Sequence, residues 1–88
     1  MLVKDAVSFD IDSESRFVIV VFSNGEAQKY ELSTLQSSGN RKSLVPKETA
    51  RHIKNVTLSP GSETIILCLT NGAVFMFDRD SYELLGQV

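Results

Sequence analysis

The sequence predicts an all-β fold made of two four-stranded antiparallel units, and three observations carry that prediction. The dipeptide Asn-Gly occurs twice, at Asn24-Gly25 and Asn71-Gly72, each time between two strand-like segments. Two short runs rich in β-branched residues, "FVIVVF" at 17–22 and "TIILCLT" at 64–70, precede those dipeptides. The phrase around the first dipeptide, "SNGEAQKYE" at 23–31, returns as "TNGAVFMFD" at 70–78, each reading small polar, Asn-Gly, four residues, aromatic, acid.

Taken in order, "AVSFDI" at 6–11 alternates apolar and polar, the period-2 pattern of a half-buried strand. The run 17–22 is a continuous apolar strand, and "EAQKYEL" at 26–32 is a mixed, more polar one. Residues 33–52, "STLQSSGNRKSLVPKETARH", read as a long polar and basic loop. Within it, Lys42 to Val45 is expected to form a short edge strand, closed by Pro46, which has no N–H for a central ladder. "STLQSS" could form one helical turn, and no longer helix is expected. The strand pattern resumes with "IKNVTL" at 53–58, then 64–70, "AVFMF" at 73–77 and "YELLGQV" at 82–88. The Asn-Gly pairs suit two-residue type I′ turns, which need φ > 0 at both central positions, so they predict hairpins 17–23 with 26–32 and 64–70 with 73–78.

The halves align when Val7-Ser8-Phe9 is matched to Val56-Thr57-Leu58, with two extra residues assigned to the "DIDSESR" turn of the first half. Residues 1–50, including loop 33–52, form the first unit and residues 51–88 the second. A period in the forties with several short strands per unit marks a propeller array. At "VTLSPGSETIILCLTNGAVFMFD", residues 56–78, the chain resembles the tryptophan-aspartate (WD) repeat β-propellers, and "VSFDIDSESRFVIVVFSNGEAQKYE", residues 7–31, follows the same unit more loosely. Ser59-Pro60 and Asn71-Gly72 match the family pattern, while Phe77-Asp78 and Tyr30-Glu31 stand where Trp-Asp would be. The chain has no tryptophan, and its one histidine, His52, lies too close to Val56 for the family's Gly-His. The resemblance implies an incomplete WD40-like β-propeller: two degenerate propeller-type blades held mainly by apolar packing. The apolar runs 17–22 and 65–69 suit inner blade strands covered on both faces, whereas "EAQKYEL" suits an outer strand that needs edge protection.

Closed propellers use about four to eight blades. Two blades therefore imply the rest of a longer propeller chain, other protein subunits that complete the ring, or self-association. The resemblance implies a non-catalytic protein–protein interaction scaffold that binds partners through its rim and top-face loops.

Composition sets the outer limits. The chain has 88 residues, 42% apolar and 23% charged, with a formal net charge of −2. That acidity argues against general nucleic-acid binding. No run approaches the length of a membrane span, and "MLVKDAVSFD" has no apolar core of a signal peptide. The single cysteine, Cys68, lies inside an apolar run, which excludes an internal disulfide and points to an intracellular protein of cytoplasm or nucleus. Asn55-Val56-Thr57 matches a glycosylation pattern but falls in a predicted strand.

No catalytic constellation emerges, so no enzymatic activity, cofactor or metal is expected. One Cys and one His cannot supply a zinc set. "DIDSE" lacks the glycine and closing glutamate of a calcium loop, and the glycines are scattered singly rather than gathered into a phosphate-binding loop. One segment is strongly one-signed. Residues 41–54 hold Arg41, Lys42, Lys47, Arg51 and Lys54 against the single acid Glu48, whereas the flanking segments are both acidic. These five residues are the candidate partner-contact loop. The alternative function they suggest is a phosphate- or nucleic-acid-binding module, weakened by the lack of any aromatic residue within the segment.

Overall fold

The structure, a computed structural model, describes residues 5–88, so the opening residues 1–4 of the predicted first unit lie outside the described residues. Strands β1 (Ala6–Ile11), β2 (Phe17–Phe22), β3 (Glu26–Glu31) and β4 (Ser37–Ser43) form one antiparallel sheet in chain order. A single helical turn, α1 (Lys47–Ala50), leads to the second sheet. That sheet is built the same way from β5 (Ile53–Leu58), β6 (Thr64–Leu69), β7 (Val74–Asp78) and β8 (Leu84–Gln87). The fold is all-β, two four-stranded antiparallel sheets, as the sequence predicts.

Both Asn-Gly turns differ from the type I′ expectation. Gly25 and Gly72 have φ of +89° and +91°, but neither asparagine has a positive φ. The Gly25 N–H donates to the Phe22 carbonyl at 2.9 Å and the Gly72 N–H to the Leu69 carbonyl at 3.1 Å. Each loop therefore holds three residues, a type I turn followed by a left-handed glycine. The extra residue is the small polar one, Ser23 or Thr70. The asparagine serves through its side chain instead: Asn24 Oδ1 accepts from the Glu26 N–H and Asn71 Oδ1 from the Ala73 N–H, both at 3.0 Å.

The long loop 33–52 is largely structured. Its edge strand is Ser37–Ser43 rather than 42–45, because Val45 turns inward and is buried. "SSGNRKS" has no strand periodicity, and pairing with β3 decides its conformation. A bulge falls between Ala27 and Lys29, where the buried Gln28 sends its Nε2 to the carbonyls of Ser38 and Gly39, at 3.3 and 2.9 Å. The one helical turn lies at Lys47–Ala50, after Pro46, not at "STLQSS", where Leu35 takes a φ of +60°. The segment 82–88 likewise yields strand only from Leu84, since Tyr82 has a φ of +62°.

Register fixes the repeat. Ala6, Phe9 and Ile11 pair with Phe22, Val20 and Val18, and Ile53, Val56 and Leu58 pair with Leu69, Leu67 and Ile65. Every equivalent pair is forty-seven positions apart, as are the two Asn-Gly dipeptides. Val56 thus corresponds to Phe9, not to Val7, and no length difference lies in the "DIDSESR" turn. The left-handed residues obey the same spacing: Ser15 with Ser62, and Leu35 with Tyr82.

Alternation gives each sheet two faces. The Ile19 face of the first sheet, with Ser8, Asp10, Val21 and Ala27, packs on the Ile65 face of the second, with Val56, Leu67, Leu69 and Phe77. Ile19, Val21, Ala27, Ile65 and Leu67 have no exposed surface. Full burial of an aliphatic side chain contributes about 1.5–3 kcal/mol, so this seam is the main source of cohesion between the sheets. Val45 and Ala50 close it beside α1. Val18, Val20 and Phe22, on the opposite face of the first sheet, form a second cluster with Tyr30 and Leu32.

The sheets meet most closely along β1 and β5, so these strands line the inner edge, and the apolar runs stand second from it. β2 is buried along nearly its whole length, as a strand covered on both faces should be, while β6 buries only alternate residues.

Candidate partner-binding surface

Polar side chains of the first sheet clasp the backbone of the second. The Val56 N–H donates to Ser8 Oγ at 3.1 Å, and the Leu58 N–H donates to Asp10 Oδ2 at 2.8 Å, with Thr57 Oγ1 a second donor to the same oxygen at 3.2 Å. The free edge of β5 is thereby satisfied without another strand, which is one way to blunt an edge. A second clasp joins the tight turns at one end of the molecule, where the Ser13 N–H donates to Ser62 Oγ at 3.0 Å. Beside it Asp12, buried, accepts from Arg16 Nε at 2.6 Å and from a second guanidinium nitrogen at 3.2 Å. The Arg16 guanidinium holds the Asp12 carboxyl well below the usual carboxylate range, against the opposing effect of burial.

The structure distributes the five candidate basic residues over several surfaces. Arg41 and Lys42 are neighbours on β4 and so point to opposite faces. Arg41 stacks 3.8 Å above the centre of the Phe22 ring and lies 3.9 Å from Glu26, while Lys42 stands 5.8 Å from the centre of the Tyr82 ring. Lys47 and Arg51 are exposed and four residues apart around α1, which puts them on one side of the turn. Arg51 Nε donates to His52 Nε2 at 3.2 Å. Lys54 is exposed on β5. Only Lys47 and Arg51 share a common presentation; the rest of the segment is divided by strand alternation.

A surface that the linear reading did not find lies between the outer strands of the two sheets. Two adjoining shallow grooves, of about 220 and 310 Å³, share Lys29, Ser38 and Asp80. Lys29 Nζ bridges the sheets, 3.2 Å from Asp80 Oδ1 and 5.6 Å from the centre of the Phe17 ring. Tyr82 lines the second groove, and burial pushes its phenol up to about 12, with the Asp80 carboxylate adding to the rise. Nothing in the sequence signals this meeting, because Lys29 and Asp80 come from different repeats. At the far side of β7, Asp78 Oδ2 accepts from the N–H groups of Ser81 and Asp80, at 2.9 and 3.0 Å. Those bonds hold its carboxyl below the ordinary range and fix the turn into β8.

Exposed apolar side chains are concentrated on β1 and at β8. Phe9 is 64% exposed, with Val7 and Ile11 beside it on β1. Leu84, Leu85 and Val88 are exposed at the other extreme of the molecule. Cys68 is half-buried on β6 and His52 is exposed. Among the described residues, no three His, Cys, Asp or Glu side chains gather in a metal-binding arrangement, and no helix is long and apolar enough to cross a membrane.

No family profile matches the sequence, and no curated protein is similar to it. Solved structures do match. AztD from Citrobacter koseri superposes with a TM-score of 0.72 at 13% identity, over 94% of this chain and 23% of its own. Kluyveromyces lactis Hsv2 gives 0.69 at 12% over 96% and 24%, and Saccharomyces cerevisiae Sqt1 gives 0.64 at 14% over 91% and 19%. The chain thus spans about a fifth to a quarter of the length of these neighbours. They are β-propeller proteins, and at such low identity the likeness concerns the fold alone: the two sheets have the form of two successive propeller blades.

Proposed function

We propose that the chain is a non-catalytic, intracellular protein–protein interaction scaffold, built as part of a degenerate WD-repeat β-propeller. The observation that carries this reading is the group of exposed large apolar side chains on the two edge strands β1 and β8. Phe9 and Ile11 on the inner-edge strand β1, and Leu84 and Leu85 on the outer strand β8, stand exposed. Large apolar side chains exposed along sheet edges suit association with another protein surface. The small turns, Lys29 and Asp80 then form the rim that accompanies it. The Phe77-Asp78 and Tyr30-Glu31 positions, with their matching hydrogen bonds into the following turns, support the WD-repeat assignment. The lone, half-buried Cys68 supports a reducing compartment.

The phosphate-binding alternative needs the basic residues to act together, and alternation along β4 sends Arg41 and Lys42 to opposite faces. A polyanion assay at low salt tests the choice. The wild-type chain is expected to bind neither duplex nor single-stranded DNA, nor vesicles rich in anionic lipid. Reversal of Arg41, Lys42, Lys47 and Arg51 to Glu should leave that result unchanged. Salt-sensitive binding by the wild type that is lost in the reversed variant would replace the scaffold reading with a phosphate reader.

A further inference from the structure

We infer that Asn71 is a site of spontaneous covalent modification, where the side-chain amide is lost as ammonia and aspartate or isoaspartate remains, while the fold protects the equivalent Asn24. The two Asn-Gly turns are alike in sequence and backbone shape, and they differ in what covers them.

Glycine after asparagine leaves the following backbone nitrogen unshielded by a Cβ, so that nitrogen can reach the asparagine Cγ. The Gly72 nitrogen loses its proton to solvent base and attacks Asn71 Cγ. The N–Cγ bond forms, the Cγ–Nδ2 bond breaks, and Nδ2 takes up a proton and leaves as ammonia. The product is a cyclic imide, which water opens. Addition of water at Cγ restores the ordinary chain with a side-chain carboxylate. Addition at the main-chain carbonyl leaves the chain running through Cγ, an isoaspartate with one extra methylene in the backbone. Water is the only co-reactant. The rate depends on solvent access to the glycine N–H and on the freedom of the turn to bring nitrogen and Cγ together.

Both conditions separate the two sites. Asn71 and Gly72 are exposed, and a Cβ on Gly72 would meet nothing within 4 Å. Gly25 is buried beneath Val45 and Ala50, and its carbonyl is held by the Leu44 N–H at 2.9 Å. The side chains differ too. Each asparagine Oδ1 accepts from the N–H two residues on, at 3.0 Å, which favours the negative charge that gathers on Oδ1 as the nitrogen attacks. At Asn24 that help is opposed. Asn24 Nδ2 donates to Glu26 Oε1 at 3.0 Å, which fixes the amide and places a carboxylate beside the developing anion. The residue equivalent to Glu26 is Ala73, which carries no charge. Asn71 therefore combines an open glycine with a polarised amide and no opposing carboxylate. Isoaspartate there lengthens the loop that sets the register of β6 on β7, next to the Cys68–Val74 pair, and moves Cγ and Oδ1 into the main chain, away from their role as acceptor for Ala73. Aspartate keeps that acceptor.

Peptide mapping by mass spectrometry, with chromatographic separation of isoaspartate, tests this on wild-type chain held in mildly alkaline buffer, with and without urea. In the folded chain Asn71 should convert, with isoaspartate among the products. Asn24 should convert more slowly by about tenfold or more, because it reacts only through local opening of the cover over Gly25. In urea the two rates should approach each other. The isoaspartate form should melt at a lower temperature than the wild type, whereas Asn71→Asp should melt close to it. Equal conversion at both asparagines in the folded chain would overturn the proposal, as would an Asn71 that keeps its amide there. A difference that persists unchanged in urea would assign the contrast to neighbouring residues rather than to the fold, and would overturn it as well.

Discussion

Gly25→Ala is expected to destabilise the chain by about 2–5 kcal/mol, and clearly more than Gly72→Ala, although the two glycines occupy equivalent turns. Both have the left-handed backbone that costs a non-glycine residue about 1–2 kcal/mol. At Gly72 that is the whole effect, because an added Cβ would meet nothing within 4 Å. At Gly25 the Cβ would lie 2.3 Å from the Val45 carbonyl oxygen and 3.2 Å from the Ala50 methyl. The segment leading into α1 is folded over the first turn, with the Leu44 N–H donating to the Gly25 carbonyl at 2.9 Å. Accommodating the methyl requires displacing backbone that seals the core, and such overpacking adds about 1–3 kcal/mol. Urea melts of both variants measure the difference. Equal losses would show that Val45 and Ala50 do not cover Gly25.

Phe77→Ala should have a comparable or larger effect, about 3–5 kcal/mol. Phe77 is 2% exposed and sits in the seam between the sheets, paired across the strand with Ile65 and tilted against Phe75 at 6.4 Å between ring centres. A chain of this size has a total stability of roughly 5–15 kcal/mol, so the variant is expected to be largely unfolded near physiological temperature. Val7→Ala, at the bulge in β1 where Val7 is half-exposed, serves as the contrast and should cost under about 1 kcal/mol. A cooperative thermal transition of Phe77→Ala matching that of wild type would show that the Ile65 face is not seated.

Much of this architecture is legible in the sequence because its signals are local. A hairpin needs only an Asn-Gly turn and two flanking runs of strand-forming residues, and both hairpins are where those features stand. The exact turn type was not legible, since Ser23 and Thr70 read equally well as strand ends or as turn residues. The bounds of β4 are not legible because "SSGNRKS" has no apolar alternation, and it becomes a strand only by pairing with β3. Matching Val7 to Val56 sets the repeat two residues out of register. A two-residue slip keeps every side chain on its face, so apolar patterning cannot detect it; only the pairing of Phe9 with Val20 and of Val56 with Leu67 does. The basic segment reads as one patch in a linear charge count, and strand alternation divides it. The clasp of Ser8 and Asp10 on β5, and the bridge from Lys29 to Asp80, join residues from different repeats and leave no mark in either segment alone.

The central claim is that two equivalent blades are stacked through β1 and β5, with side chains of the first holding backbone amides of the second. Amide hydrogen exchange followed by nuclear magnetic resonance measures this most directly. In the wild type, the Val56 and Leu58 amides should exchange slowly although β5 is the edge strand of its sheet. Asp10→Ala should speed exchange at Leu58, and Ser8→Ala at Val56, while amides within the β6–β7 hairpin stay protected. Fast exchange at Val56 and Leu58 in the wild type, unaffected by either substitution, would contradict the stacking and leave two sheets that fold without the seam described between them.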